Sequence, residues 1–142
     1  MFEGTYQNSI DDKNRMIIPA KIRDGLGCTC VLTKGTDRCL DIYTLANWEN
    51  VAVKLRALNT LDAKNRRIAR HFFANASTCE IDKQGRVIIP QDLREYAGIE
   101  KDLLTFGVGA KIEVWSKAVW ENEEDIDSGE VAQELAERGV NI

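Results

Sequence analysis

One histidine, His71, is all that 142 residues contain, and no apolar run approaches the ~20 residues needed to cross a bilayer. A lone histidine inside a basic stretch leaves no Ser-His-Asp or Cys-His constellation to assemble. No P-loop or G-x-G-x-x-G is present, since "GVGAK" at 107–111 lacks both the spacing and the Ser or Thr. Enzymatic activity is therefore not expected. The start, "MFEGTYQNSI", has no basic segment followed by an apolar one, which predicts no secretory signal and a cytoplasmic protein. Cysteine is present but sparse, as Cys28, Cys30, Cys39 and Cys79, with no second C-x-x-C and no histidine cluster to complete a tetrahedral set. These four are expected to be buried, reduced thiols, with no metal and no cofactor.

Positive charge is also scarce on average, with a formal net charge of −4. That average hides a segregation. Residues 121–142 hold eight acids against Arg138 alone, which leaves 18 bases and 15 acids in residues 1–120. Lys54, Arg56, Lys64, Arg66, Arg67 and Arg70 stand close together, with Asp62 the one acid among them. Exposed charge runs of this kind are usually solvated helix faces. Here the cluster could also widen an electropositive surface or pair with acids of a neighbouring subunit.

What the sequence does have is a duplication. "DDKNRMIIP" at 11–19 returns as "DKQGRVIIP" at 82–90, each with Asp, four steps later Arg, then an apolar run ending in Pro. The match extends through Arg23 and Arg94, then Gly35 and Gly107, and reaches Trp48 and Trp120. Each copy reads β-β-α-β-β-α. "TYQNSI" and "STCEI" are short strands; Asn14 and Gly85 suit a tight turn; "RMII" and "RVII" read as buried β-branched strands. Pro19 and Pro90 end those strands and open helices, with Gly98 a C-cap. Two more strands follow in each copy, and Thr44 and Ser116 are N-caps of a last helix. The expected division is a first repeat over 5–48, a basic helical linker over 49–75, a second repeat over 76–120 and an acidic tail over 121–142. A unit of ~45 residues buries too little by itself, so the copies are expected to pack face to face as an internal pseudo-dimer. The recurring Trp48, Trp115 and Trp120 read as core anchors. Val131, Leu135 and Arg138 lie at helical spacing in the acidic tail.

The "MF-G" start, the doubled D-x-x-x-R, the I-P-x-x-[LI]-R endings and "LREYAG" resemble the MraZ family of AbrB-like bacterial transcriptional regulators over essentially the whole chain. That resemblance implies an α+β fold in which the tandem repeats form a double swapped-hairpin β-barrel with flanking helices. It implies a sequence-specific regulator that binds direct repeats in promoter DNA, repressing its own operon and the division and cell-wall gene cluster. It also implies a homo-oligomeric ring, commonly an octamer, associated with the nucleoid. Asn14 departs from the pattern, which favours Gly there. Carried over by position, Asp11, Arg15, Asp82 and Arg86 belong to the DNA-contacting surface.

The residue chemistry points the same way. Arginine's planar fork binds phosphate, or guanine O6 and N7, in pairs. Lys13 and Lys83 lie at the turns beside Arg15 and Arg86, so each hairpin tip carries both. Asp11 and Asp82 are expected to orient the guanidinium groups and cap turn amides, because a carboxylate beside phosphate is repelled. Arg23 and Arg94 stand one helical turn past Pro, beside Asp24 and Glu95, and suit either a salt bridge within the unit or a phosphate contact. The rival reading is an antitoxin-type AbrB-like module whose main partner is a protein; such modules usually carry one copy and dimerise, whereas here the pair is built into one chain.

Overall fold

Asn14 and Gly85 both adopt left-handed backbone, with φ of 62° and 78°, and that local choice sets the architecture. At each turn the chain leaves one sheet and enters another. In the computed structural model, which describes residues 1–142, strand β1 (Phe2–Ser9) precedes the first turn and β2 (Arg15–Ile17) follows it. Then come α1 (Ala20–Leu26), β3 (Thr29–Lys34), β4 (Leu40–Thr44) and α2 (Leu45–Arg56). Helix α3 (Ala63–Ala69) and a π-helical turn (Arg70–Ala74) lead to the second copy. That copy contains β5 (Ser77–Glu80), β6 (Arg86–Ile88), α4 (Gln91–Ala97), β7 (Asp102–Gly109), β8 (Ile112–Ser116) and α5 (Lys117–Trp120). The acidic tail forms α6 (Ser128–Glu137).

The two copies do not pack face to face; they interleave strand by strand. One six-stranded antiparallel sheet runs β1-β7-β8-β4-β3-β5, and β2 pairs with β6 as a separate ribbon. β1 of the first copy therefore lies on β7 of the second, β5 of the second on β3 of the first, and β4 on β8. Only β3–β4 and β7–β8 pair within their own copy. The fold class is α+β as expected. The ladders leave β1 and β5 at the two ends of the sheet, so they do not close it into a barrel. β1 and β2 are likewise not a two-stranded hairpin, because each finds its ladder partner in the other copy.

Matched residues meet in one core. Met16 and Val87, Ile18 and Ile89, Ile22 and Leu93, Leu40 and Ile112, and Ile42 and Val114 all belong to a single buried cluster. A lone copy would lose half of this cluster and its cross-copy ladders, which is why neither is a folding unit of adequate size.

The capping chemistry follows local sequence. Thr44 Oγ1 accepts from Asn47 N at 3.0 Å, Ser116 Oγ accepts from Val119 N at 3.4 Å, and Gly98 closes α4 at φ 67°. Four details differ from what the sequence predicts. The linker helix α3 could begin by sequence at Thr60, but Asp62 caps it, because its carboxylate accepts from Lys64 N and Asn65 N. α2 runs on to Arg56, so a boundary at Trp48 falls inside a helix. Of the tryptophans only Trp115 is buried; Trp48 and Trp120 are half-buried in aromatic clusters with Tyr43 and Phe73, and with Phe106 and Trp115. Cys28 is exposed and Cys79 half-buried, whereas Cys30 and Cys39 are buried. Cys28 falls just before β3 begins, outside the ladder that buries Cys30.

Candidate nucleic-acid interface

Both D-x-x-x-R segments fold into the same turn. Asp11 Oδ1 accepts from Lys13 N at 3.0 Å and Arg15 N at 2.8 Å, while Oδ2 accepts from Arg15 Nε at 2.8 Å. Asp82 Oδ1 accepts from Gln84 N at 2.9 Å and Arg86 N at 2.8 Å, and Oδ2 from Arg86 Nε at 2.8 Å. A short carboxylate is needed to satisfy the turn amides and still reach the guanidinium, which accounts for Asp at this spacing. The Arg15 backbone N–H holds the Asp11 carboxyl below its ordinary value, against a smaller upward push from burial; the Arg86 N–H does the same for Asp82.

Each arginine is thus held by one edge. Nε belongs to the aspartate, and Nη1 and Nη2 donate to nothing within the chain. The side chains are not fully projected into solvent, retaining 23% and 28% of their surface. Lys13 and Lys83 are exposed and form no ion pair.

The ribbon brings the two turns to one face. Arg15 stands opposite Ile88, Met16 opposite Val87, and Ile17 opposite Arg86. Directly opposed residues share a face, so Arg15, Ile17, Arg86 and Ile88 point outward together while Met16 and Val87 point into the core. Arg15 and Arg86 are diagonal neighbours, about 7–8 Å apart by strand geometry. Ile17 and Ile88 are 51% and 59% exposed, which corrects the reading of "RMII" and "RVII" as wholly buried. The signal for that was available: a period of two within each run puts alternate residues on opposite faces.

Arg23 and Arg94 make no salt bridge to Asp24 or Glu95. Arg23 Nη2 donates to Ile18 O at 2.8 Å, and Arg94 Nη1 to Ile89 O, so each ties its helix to the strand before it. The Arg23 guanidinium also lies against the other copy's turn: a Cβ at Gly85 would fall 2.1 Å from Arg23 Cζ. Gly85→Ala should therefore expel Arg23 and strain a left-handed backbone, lowering stability by about 1–2 kcal/mol; a thermal unfolding midpoint unchanged from the parent would contradict this.

Lys64, Arg67 and Arg70 are exposed without ion pairs, and Arg66 donates to Thr60 O at 2.8 Å. His71 Nε2 lies 2.8 Å from Gly35 O. Ligand atoms of Cys39, Asp41 and Glu113 come within 4.8 Å of one another, a grouping the cysteine spacing did not reveal. The cation there is Lys111, whose Nζ is 2.9 Å from Asp41 Oδ2 and 3.9 Å from Glu113 Oε2.

A two-stranded ribbon fits a major groove about 12 Å wide, and arginine forks match its paired acceptors. The family described as "MraZ protein, putative antitoxin-like" matches residues 1–71 and again 72–141, so each match contains one D-x-x-x-R turn. The chain belongs to the MraZ family. Among curated relatives, the "Transcriptional regulator MraZ" of Acetivibrio thermocellus is 48% identical over 143 residues, covering 99% of this chain and 100% of that protein. Proteins of the same name from Clostridium beijerinckii and Thermoanaerobacter pseudethanolicus are 47% and 48% identical, with 99% of this chain and 100% of each relative covered. The MraZ match thus spans both copies and all eight strands. No helix is long and apolar enough to cross a membrane.

Proposed function

We propose that this chain is a transcriptional regulator, not an enzyme, that binds duplex promoter DNA through the outer face of the β2–β6 ribbon. Full-length similarity to proteins named transcriptional regulators supports the class. The observation that carries the DNA reading is the pair of arginines whose Nε is held by aspartate and whose Nη groups are free, on one face of one ribbon. Arg15 and Arg86 take guanine edges or phosphate, and Lys13 and Lys83 take flanking phosphates. Asp11 and Asp82 orient the arginines without touching DNA. Arg23 and Arg94 tie their helices to the strands before them, and Arg23 also backs the Gly85 turn, with phosphate contact a secondary role for their free N–H groups.

The sites are direct repeats upstream of the chain's own gene and of the division and cell-wall cluster, bound with repression by a homo-oligomeric ring, an octamer in the family pattern, in the cytoplasm at the nucleoid. Exposed Leu45, Val53, Leu61 and Ile68 on and beside α2 and α3 support self-association. Linked copies on tandem sites raise the effective concentration of each later contact, giving roughly 10²–10⁴ in avidity. The chain divides into two repeats, a basic connecting segment and an acidic tail.

The test is binding to DNA upstream of the chain's own gene across a salt series. Lys13 and Lys83 on phosphate set an expected slope of about −1.8 in log K against log salt for each engaged subunit, at about −0.9 per phosphate, steepening to about −3.6 where Arg15 and Arg86 also take phosphate. The antitoxin-type alternative expects no shift and a tightly co-purifying protein partner instead; that outcome would replace the regulator reading.

A further inference from the structure

The regulator reading accounts for the arginines and lysines of the ribbon but not for the isoleucines between them. We infer that Ile17 and Ile88 are specificity-determining residues that pack against thymine C5-methyl groups in the major groove. The inference rests on the proposed DNA-binding face and extends it from charge to sequence.

Outward positions of a half-buried strand are ordinarily polar. Here both copies place isoleucine at the equivalent outward position, 51% and 59% exposed, while the adjacent Ile18 and Ile89 are fully buried. On the outer face each isoleucine has an arginine two residues away in its own strand and another directly opposite: Ile17 has Arg15 and Arg86, and Ile88 has Arg86 and Arg15. The four side chains make a square with guanidinium groups on one diagonal and apolar groups on the other.

Phosphate contacts alone would leave the apolar diagonal without a role. The major groove matches both diagonals, since guanine offers N7 and O6 as paired acceptors and thymine offers a methyl group. Charge argues against a second copy of this chain as the occupant. Two such faces brought together would oppose Arg15, Arg86, Lys13 and Lys83 with their own kind; Asp11 and Asp82 already accept from their own turns, which leaves Asp12 as the one free turn carboxylate against four cations. A polyanion with embedded methyl groups fits the same patch.

The experiment selects a preferred duplex from a random library with the full-length protein. Affinity is then measured on that duplex, on the same duplex with deoxyuridine replacing thymine, and on random DNA. The parent protein should lose about four-fold for each contacted methyl removed, the scale of one methylene-sized transfer. The double variant I17A/I88A should bind the thymine duplex as weakly as the parent binds the deoxyuridine duplex. It should no longer distinguish the two, and its loss on random DNA should be smaller than its loss on the selected thymine duplex. Indifference of the parent protein to deoxyuridine overturns the inference whatever the variant does. So does an equal loss by the variant on all three DNAs, or a changed oligomer mass. Failure of the parent to select any sequence overturns the regulator reading itself, which separates the two failures.

Discussion

Arg15→Ala combined with Arg86→Ala removes specific DNA binding while leaving the fold and the oligomer in place. An arginine fork on a base edge is worth about 1–3 kcal/mol, so the pair should cost roughly 30-fold to 10⁴-fold in affinity per ribbon. Stability should change little, because a partly exposed Arg–Asp pair contributes about 0–1 kcal/mol and the aspartates keep their backbone donors from Lys13 and Arg15, and from Gln84 and Arg86. Lysine should not rescue specificity. In the parent, the aspartate takes Nε and leaves the other two nitrogens for DNA, a division that a single ammonium cannot reproduce. Fluorescence anisotropy gives the affinity, and light scattering gives the mass. If the variant binds its selected duplex normally, the ribbon is not the interface; if it unfolds or dissociates, the Arg–Asp pairs serve only to pin the turns.

Lys111→Ala should cause the largest loss of stability among single surface-reaching changes. Asp41 is 1% exposed and depends on Lys111 Nζ at 2.9 Å and the Tyr43 hydroxyl at 3.3 Å, while its Oδ1 has no hydrogen-bond partner. Removing one member of such a pair strands a buried charge; the cost is about 3 kcal/mol, near the lower bound because Lys111 itself reaches solvent. The pH dependence has a definite sign. Burial pushes the Asp41 carboxyl above its usual 3.8, and Lys111 opposes that push. Without Lys111 the folded chain holds the Asp41 proton more tightly than the unfolded chain does. Stability of the variant then falls as pH rises from 3.8 through the raised folded value, and recovers on acidification. Adding Asp41→Asn should restore most of the loss at neutral pH. Denaturant unfolding at several pH values measures this, and a pH-independent loss unmoved by Asp41→Asn would refute it.

The duplication, the turns and the element order are legible in the order of the residues. A D-x-x-x-R with Asn or Gly before the arginine specifies its own backbone, since the aspartate's acceptors and the turn's donors lie within four residues. The same holds for Thr44, Ser116 and Gly98 at helix ends. Which strands pair, and so what each face presents, emerges only from the folded chain. Nothing local tells β1 to leave β2 for β7, and the exchange puts Met16 against Val87 inside and Ile17 beside Arg86 outside. The Lys111–Asp41 contact and the seat of Arg23 under Gly85 likewise join the two copies. Turn and cap geometry is short-range hydrogen bonding, readable from neighbouring residues. Pairing partners and solvent exposure come from burying one shared core, which exists only once the two copies have interleaved.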